Sequence, residues 1–255
     1  MAETIQYAEP LRVEDPSECA FYHRMELPGL GVVGGQWDLR DVINDYLGRF
    51  DFKGKRVLDV GTASGYLTFE MEKRGAEVVS FDMAEGEQWD LVPQRVVRRE
   101  PARVAERLTA GHRRLRKGYW LAHERLGSRA RVFYGNIYHL PEALGPFDVA
   151  MMGMIIGHLR DPFHALHNVA RLCRSHLILT NQSYHAERAE ALLMPSVENQ
   201  ETMAWWALSD GCLKQMLRIL GFEVQYTCAC EPRCLVPNRE GREPCISLVA
   251  RRIED

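Results

Sequence analysis

Residues 57–68 read Val-Leu-Asp-Val-Gly-Thr-Ala-Ser-Gly-Tyr-Leu-Thr. The apolar run Arg56 to Val60 predicts a strand, with the acid Asp59 near its end. Gly61, Ala63 and Gly65 then predict a tight turn. Such residues let a backbone approach a ligand where larger side chains would block it. Leu67, Phe69 and Met71 open a helical pattern that Gly75 ends. Seventeen residues after Gly65, a second apolar run, Glu77 to Phe81, leads to Asp82. An acid at that strand end can accept hydrogen bonds from a ribose diol. A phosphate-binding P-loop is excluded, because Tyr66-Leu67 stand where Lys-Ser/Thr would be needed. The glycine spacing G-x-A-x-G also differs from the dinucleotide pattern G-x-G-x-x-G.

Outward from this turn, the pattern alternates strand and helix. Asp38 to Phe50 predicts a helix capped by Asp38, with Leu39, Val42, Ile43, Tyr46, Leu47 and Phe50 inward. Further strands are expected at Ala130–Tyr134, Phe147–Met152 and His176–Thr180. Asp161-Pro162 marks a helix start, and Asp210 to Leu220 a later helix. Phe222–Thr227 and Ile246–Arg251 leave no room for a helix between them and should pair antiparallel. The sum is an α/β chain: a doubly wound, mostly parallel sheet with a reversed last strand. One segment is excess. Pro101 to Leu126 predicts a long helix in which Gly111 and Gly118 invite a break. Twelve Lys/Arg against three Glu lie between Arg95 and Arg131, either a solvated basic face or a platform for an anionic substrate.

The 255 residues suffice for one large domain with additions. A net charge of −3 gives no global polyanion signature. No run of eighteen apolar residues occurs and the N-terminal stretch is acidic, so neither a membrane nor a secretory signal is expected. Seven scattered cysteines fit reduced thiols and a cytoplasmic protein. Cys228, Cys230, Cys234 and Cys245 lack paired C-x-x-C knuckles, so no metal is expected. Cys228 and Cys230 share a strand face and read as inward small residues.

The order Asp59, Gly61, Ala63, Gly65, then Asp82, resembles motif I and the following acid of the class I S-adenosylmethionine (SAM) methyltransferases. The resemblance implies a Rossmann-like seven-stranded sheet with an antiparallel last strand, here with a helical insertion at about residues 92–129. It implies a catalytic domain over 51–255 and an N-terminal segment, 1–50, that covers the site. It implies SAM as cofactor, held by Asp59, Gly61, Thr62, Ala63, Gly65, Asp82, Met83, Asn136, Ile137 and Gly153. Most relatives carry Asp where Asn136 stands, but an amide oxygen still accepts from the adenine amine. The run Met152-Gly-Met-Ile-Ile-Gly-His158-Leu-Arg160-Asp-Pro narrows the resemblance to the tRNA wobble-uridine branch, which uses SAM or its carboxy derivative. Phe21-Tyr-His-Arg-Met-Glu-Leu-Pro and Trp205-Trp206 resemble the same branch. The basic insertion and the cysteine-rich tail do not, and point toward small-molecule relatives.

The expected reaction is methylation of a hydroxyl on a small-molecule, nucleotide-like or sugar-like acceptor. tRNA alkylation and a catalytically silent SAM-binding subunit of a partner protein are the alternatives. Nucleic acid is the less favoured acceptor. An oxygen nucleophile must lose its proton, and an imidazole with pKa near ~6.5 suits that task. His158 is the first candidate base, since it follows the fourth strand, and His23 the second. Tyr22, Trp37, Arg160, Trp205 and Trp206 are the candidate acceptor-binding residues.

Overall fold

The computed structural model describes residues 5–253. Its centre is a seven-stranded sheet. In chain order the strands are β1 (Arg56–Val60), β2 (Glu77–Met83), β3 (Arg131–Gly135), β4 (Phe147–Gly153), β5 (Cys173–Gln182), β6 (Phe222–Cys230) and β7 (Cys245–Arg252). Their spatial order is β3-β2-β1-β4-β5-β7-β6. All are parallel except β7, which runs antiparallel to both β5 and β6. The expected doubly wound sheet with a reversed last strand is therefore what the chain forms.

Four longer helices cover it: α1 (Tyr66–Lys73), α2 (Pro101–Leu126), α3 (Pro162–Leu172) and α4 (Asp210–Ile219). Alternation along each strand sorts the core into two layers. Val57, Met151 and Ile178 pack with the apolar faces of α1 and α2 and with Leu39, Ile43 and Leu47. Leu58, Val60, Ala150 and Met152 pack with α3 and α4. Asp161 caps α3 by accepting from His164 N at 3.0 Å, as its sequence signal predicts. Cys230 is buried and Cys228 half-buried, so the two do share the inward face.

Two local expectations are corrected. Asp38 caps no helix; it lies in the short strand Trp37–Asp38, paired with Arg233–Cys234. Its carboxylate is taken by the Arg40 side chain at 2.7 and 2.8 Å and by Arg40 N at 3.2 Å, which delays helical backbone until Ile43–Tyr46. Gly48 and Arg49, at φ of 66° and 49°, then end it. The second correction is that α2 runs unbroken through Gly111 and Gly118. Gly118 serves contact instead: a side chain there would strike the carbonyl of Ala20. Ala20 N meanwhile donates to Arg114 O at 2.9 Å. The N-terminal segment thus lies directly on α2. Among the described residues no helix is long and apolar enough to cross a membrane.

Candidate active site

The sheet register assembles the site. Val60 is level with Phe81 on one side and Met152 on the other. Gly61, Asp82 and Gly153 therefore leave the sheet side by side, where strand order switches direction. Met83 is level with Gly135, which brings Asn136 and Ile137 to the same rim.

The glycine turn is built as the sequence requires. Gly61 and Gly65 have φ of 80° and 87°, and Ala63 follows them at 50°. A methyl added at Gly61 would sit 2.7 Å from Ile155 Cδ1, and one at Gly153 would sit 2.8 Å from Leu67 Cδ1. Gly61 N and Thr62 N donate to Phe81 O at 2.9 and 3.0 Å, tying the turn to β2.

Beneath the turn lies a buried polar chain. Asp59 Oδ2 accepts from Thr68 Oγ1 at 2.6 Å. Thr68 also meets Thr62 Oγ1 and Ser80 Oγ at 2.9 and 2.7 Å, and Ser80 meets the Tyr119 hydroxyl at 2.8 Å. Burial pushes the Asp59 carboxyl up to about 6, against the lowering effect of its Thr68 bond. Its Oδ1 is buried without a partner among the described residues. A buried acceptor of that kind suits an ammonium group.

Asp82 behaves differently. Its Oδ2 accepts from Ala63 N at 2.8 Å, and its Oδ1 from Met83 N at 2.7 Å. Burial opposes its charge, but a bond from His112 and the two amides hold the carboxyl below its ordinary range. It stays an ionised acceptor at the rim. Asn136 Oδ1 accepts from Tyr138 N at 2.8 Å, and its Nδ2 donates to Glu87 at 2.7 Å. The amide is thereby oriented, with one lone pair of Oδ1 left for an amine. Ile137 is buried in the turn that follows.

The remaining candidates fall into two groups. Tyr22, His23 and Trp37 belong to the N-terminal segment, which meets the glycine turn where Tyr22 N donates to Ser64 Oγ at 2.9 Å; Trp37 N in turn donates to Tyr22 O at 3.1 Å. The His23 ring lies between Tyr22 and Tyr66, with centroids 4.9 and 5.7 Å away. Burial lowers its pKa to about 3, so it is a neutral and very weak base. His158, Arg160, Trp205 and Trp206 form the second group, beyond β4. His158 is exposed at the end of the turn Ile156–His158, with Nδ1 3.1 Å from Met203 O. A carbonyl only accepts, so Nδ1 is the donor in this contact, and in the neutral ring Nε2 is then the acceptor.

Asp90 ties Arg160 and Trp205 of this second group together and carries no sequence pattern that marks it. Its carboxylate accepts from Arg160 N at 2.9 Å and from the Tyr138 hydroxyl. Its carbonyl accepts from Trp205 Nε1 at 2.7 Å. The Arg160 guanidinium lies 5.3 Å from the Trp205 ring, and Trp206 Nε1 donates to Arg160 O at 3.1 Å.

Comparison with known proteins agrees with the fold. Residues 36–227 match the family model described as a methyltransferase domain. The chain is 25% identical to a tRNA U34 carboxymethyltransferase of Idiomarina loihiensis, over 87% of this chain and 67% of that protein. Among solved structures, the N-terminal domain of EvdMO1, determined with S-adenosylhomocysteine (SAH) and D-fucose, superposes with a TM-score of 0.53 at 18% identity over 93% of each chain. The 1,6-didemethyltoxoflavin-N1-methyltransferase of Burkholderia thailandensis superposes with a TM-score of 0.51 at 16% identity, over 84% of this chain and 76% of that one. The glycine turn, the strand order and the family match converge: the chain belongs to the methyltransferase domain family and is a class I SAM-dependent methyltransferase.

Proposed function

We propose that the enzyme methylates a hydroxyl of a small-molecule, nucleotide-like or sugar-like acceptor. The observation that carries this reading is the contact of His158 Nδ1 with the Met203 carbonyl, which in the neutral ring leaves Nε2 to take a proton. Bound SAM supplies a methyl carbon activated by a sulfonium. Asp59 and the turn Gly61–Gly65 hold its amino-acid end, Asp82 its ribose, and Asn136 with Ile137 its adenine. The N-terminal segment, through Tyr22 and Ser64, covers the amino-acid end. Arg160, Trp205 and Trp206 border the acceptor, and His158 removes the proton that an alcohol must lose.

Titration calorimetry tests the cofactor assignment. The parent chain should bind SAM, and Asp82→Ala should lose about 1–3 kcal/mol of binding, because a ribose hydroxyl is left unpaired in a half-dry site. Equal affinity of the two proteins, or no binding by the parent, would refute it.

A uridine of tRNA is the second reading, favoured by the Idiomarina loihiensis relative. Against it stands the use made of the basic insertion. Arg113 pairs with Glu85, and Lys117 with Glu18. Arg114 donates to the carbonyls of Ser17 and Cys19, and Arg116 to that of Met83. These four cations are engaged within the chain, two by carboxylates and two by backbone carbonyls. Filter binding of bulk tRNA is expected to be weak and to vanish between about 50 and 200 mM salt. Tight binding that survives the higher salt would make tRNA the acceptor.

A further inference from the structure

The insertion helix does more than brace the N-terminal segment. It places His112 against the acid at the end of β2, with Nε2 3.1 Å from Asp82 Oδ1. Both side chains are largely enclosed, 11% and 15% exposed. Trp89 closes over the imidazole edge-on, its centroid 5.5 Å away. One turn further along α2, Arg116 donates to the Met83 carbonyl and stacks 4.0 Å above the Tyr134 ring. One more turn on, the Tyr119 hydroxyl meets Ser80. Three contacts thus lock this stretch of helix to β2 and β3, and the imidazole is carried by a rigid element.

We propose that His112 is a positioning residue of the cofactor site, holding the Asp82 carboxylate so that it accepts a single ribose hydroxyl. The inference rests on the assignment of Asp82 to the ribose. A carboxylate only accepts, so His112 Nε2 is the donor. The two oxygens offer about four lone-pair sites. Ala63 N, Met83 N and His112 Nε2 fill three of them. One site on Oδ2 remains, enough for one hydroxyl of the diol and not for both. Fixing the acceptor before the ligand arrives spares ordering cost on binding. His112 is also the largest influence keeping Asp82 ionised against its burial.

The test is calorimetry with SAH and its 2′-deoxy and 3′-deoxy analogues, on the parent, His112→Ala and His112→Gln. On the parent, only one of the two deoxy analogues should lose affinity, by about tenfold, the worth of one hydrogen bond to a charged acceptor. His112→Ala should weaken SAH by about tenfold, while His112→Gln, which keeps an N–H donor, should stay within about threefold. Against the affected deoxy analogue the His112→Ala loss should shrink to about twofold or less. Unchanged SAH affinity in His112→Ala would overturn the proposal. So would equal losses against all three ligands, which mark a packing role, or equal losses by the parent for both deoxy analogues. A parent that binds no SAH would instead overturn the ribose assignment underneath.

Discussion

Replacing His158 by alanine is expected to slow methyl transfer by about 10²–10⁴-fold while SAM affinity stays at the parent value, the range for loss of a general base. The expectation follows from where the imidazole sits and how it is held. It follows β4, whose carboxyl end abuts the glycine turn across the sheet's switch point. Its Nδ1 lies 3.1 Å from the Met203 carbonyl, a contact that orients the ring and, in its neutral form, leaves Nε2 as the acceptor. His23 cannot replace it, since burial leaves that ring with a pKa of about 3. The measurement is tritium transfer from methyl-labelled SAM into the small-molecule fraction of a cell extract, with calorimetry run in parallel. A full-rate variant would show that the acceptor needs no base here. Joint loss of rate and SAM affinity would mark His158 as structural.

The second large effect belongs to Asp59. Asp59→Ala is expected to weaken SAM binding by two orders of magnitude or more, since removing one partner of a buried charge pair costs on the order of 3–5 kcal/mol. A pH dependence accompanies it. The folded carboxyl titrates at about 6, above an ordinary Asp near ~3.9. A raised acid favours the folded apo chain while protonated, so its contribution is full below about pH 4 and is lost as pH rises through about 6. An ammonium needs the ionised form, so the parent's SAM affinity should fall as pH drops below about 6. Asp59→Asn, which can still accept from Thr68, should therefore raise Tm of the apo chain at pH 8 and leave it nearly unchanged at about pH 4. Calorimetry across that range and thermal melts at the two pH values check both halves. A flat affinity profile in the parent would remove Asp59 from the cofactor site.

The strands, the turn and the reversed β7 are legible in the sequence because each depends on local pattern. Apolar alternation, glycine at positive φ and an Asp-Pro helix start act within a few residues. Asp38 misleads for the same reason. Its capping signal is local, but pairing with Arg233–Cys234, almost two hundred residues away, decides its conformation. The glycines of α2 mislead similarly: Gly118 reads as a weakness until Ala20 is seen against it. Asp59, Gly61 and Asp82 can be found from spacing, since the fold carries them to one rim. Asp90, Tyr138, Glu87 and His112 cannot. They meet only through the folding of the loop after β2 and the insertion back over the sheet, and no spacing encodes that meeting.

The order of the sheet has a consequence for how the chain is made. β7 lies between β5 and β6, yet it leaves the ribosome after both. Until it arrives, β5 presents a bare hydrogen-bonding edge and β6 has no neighbour. The half of the sheet around β1 and β2 can close early, whereas the acceptor half waits for its wedge. The waiting edge is an open template for pairing with other nascent chains. The exposed polar residues Arg174 and Gln182 stand at the two ends of β5, either side of its apolar run from Leu177 to Leu179. Polar residues flanking an apolar strand disfavour such pairing.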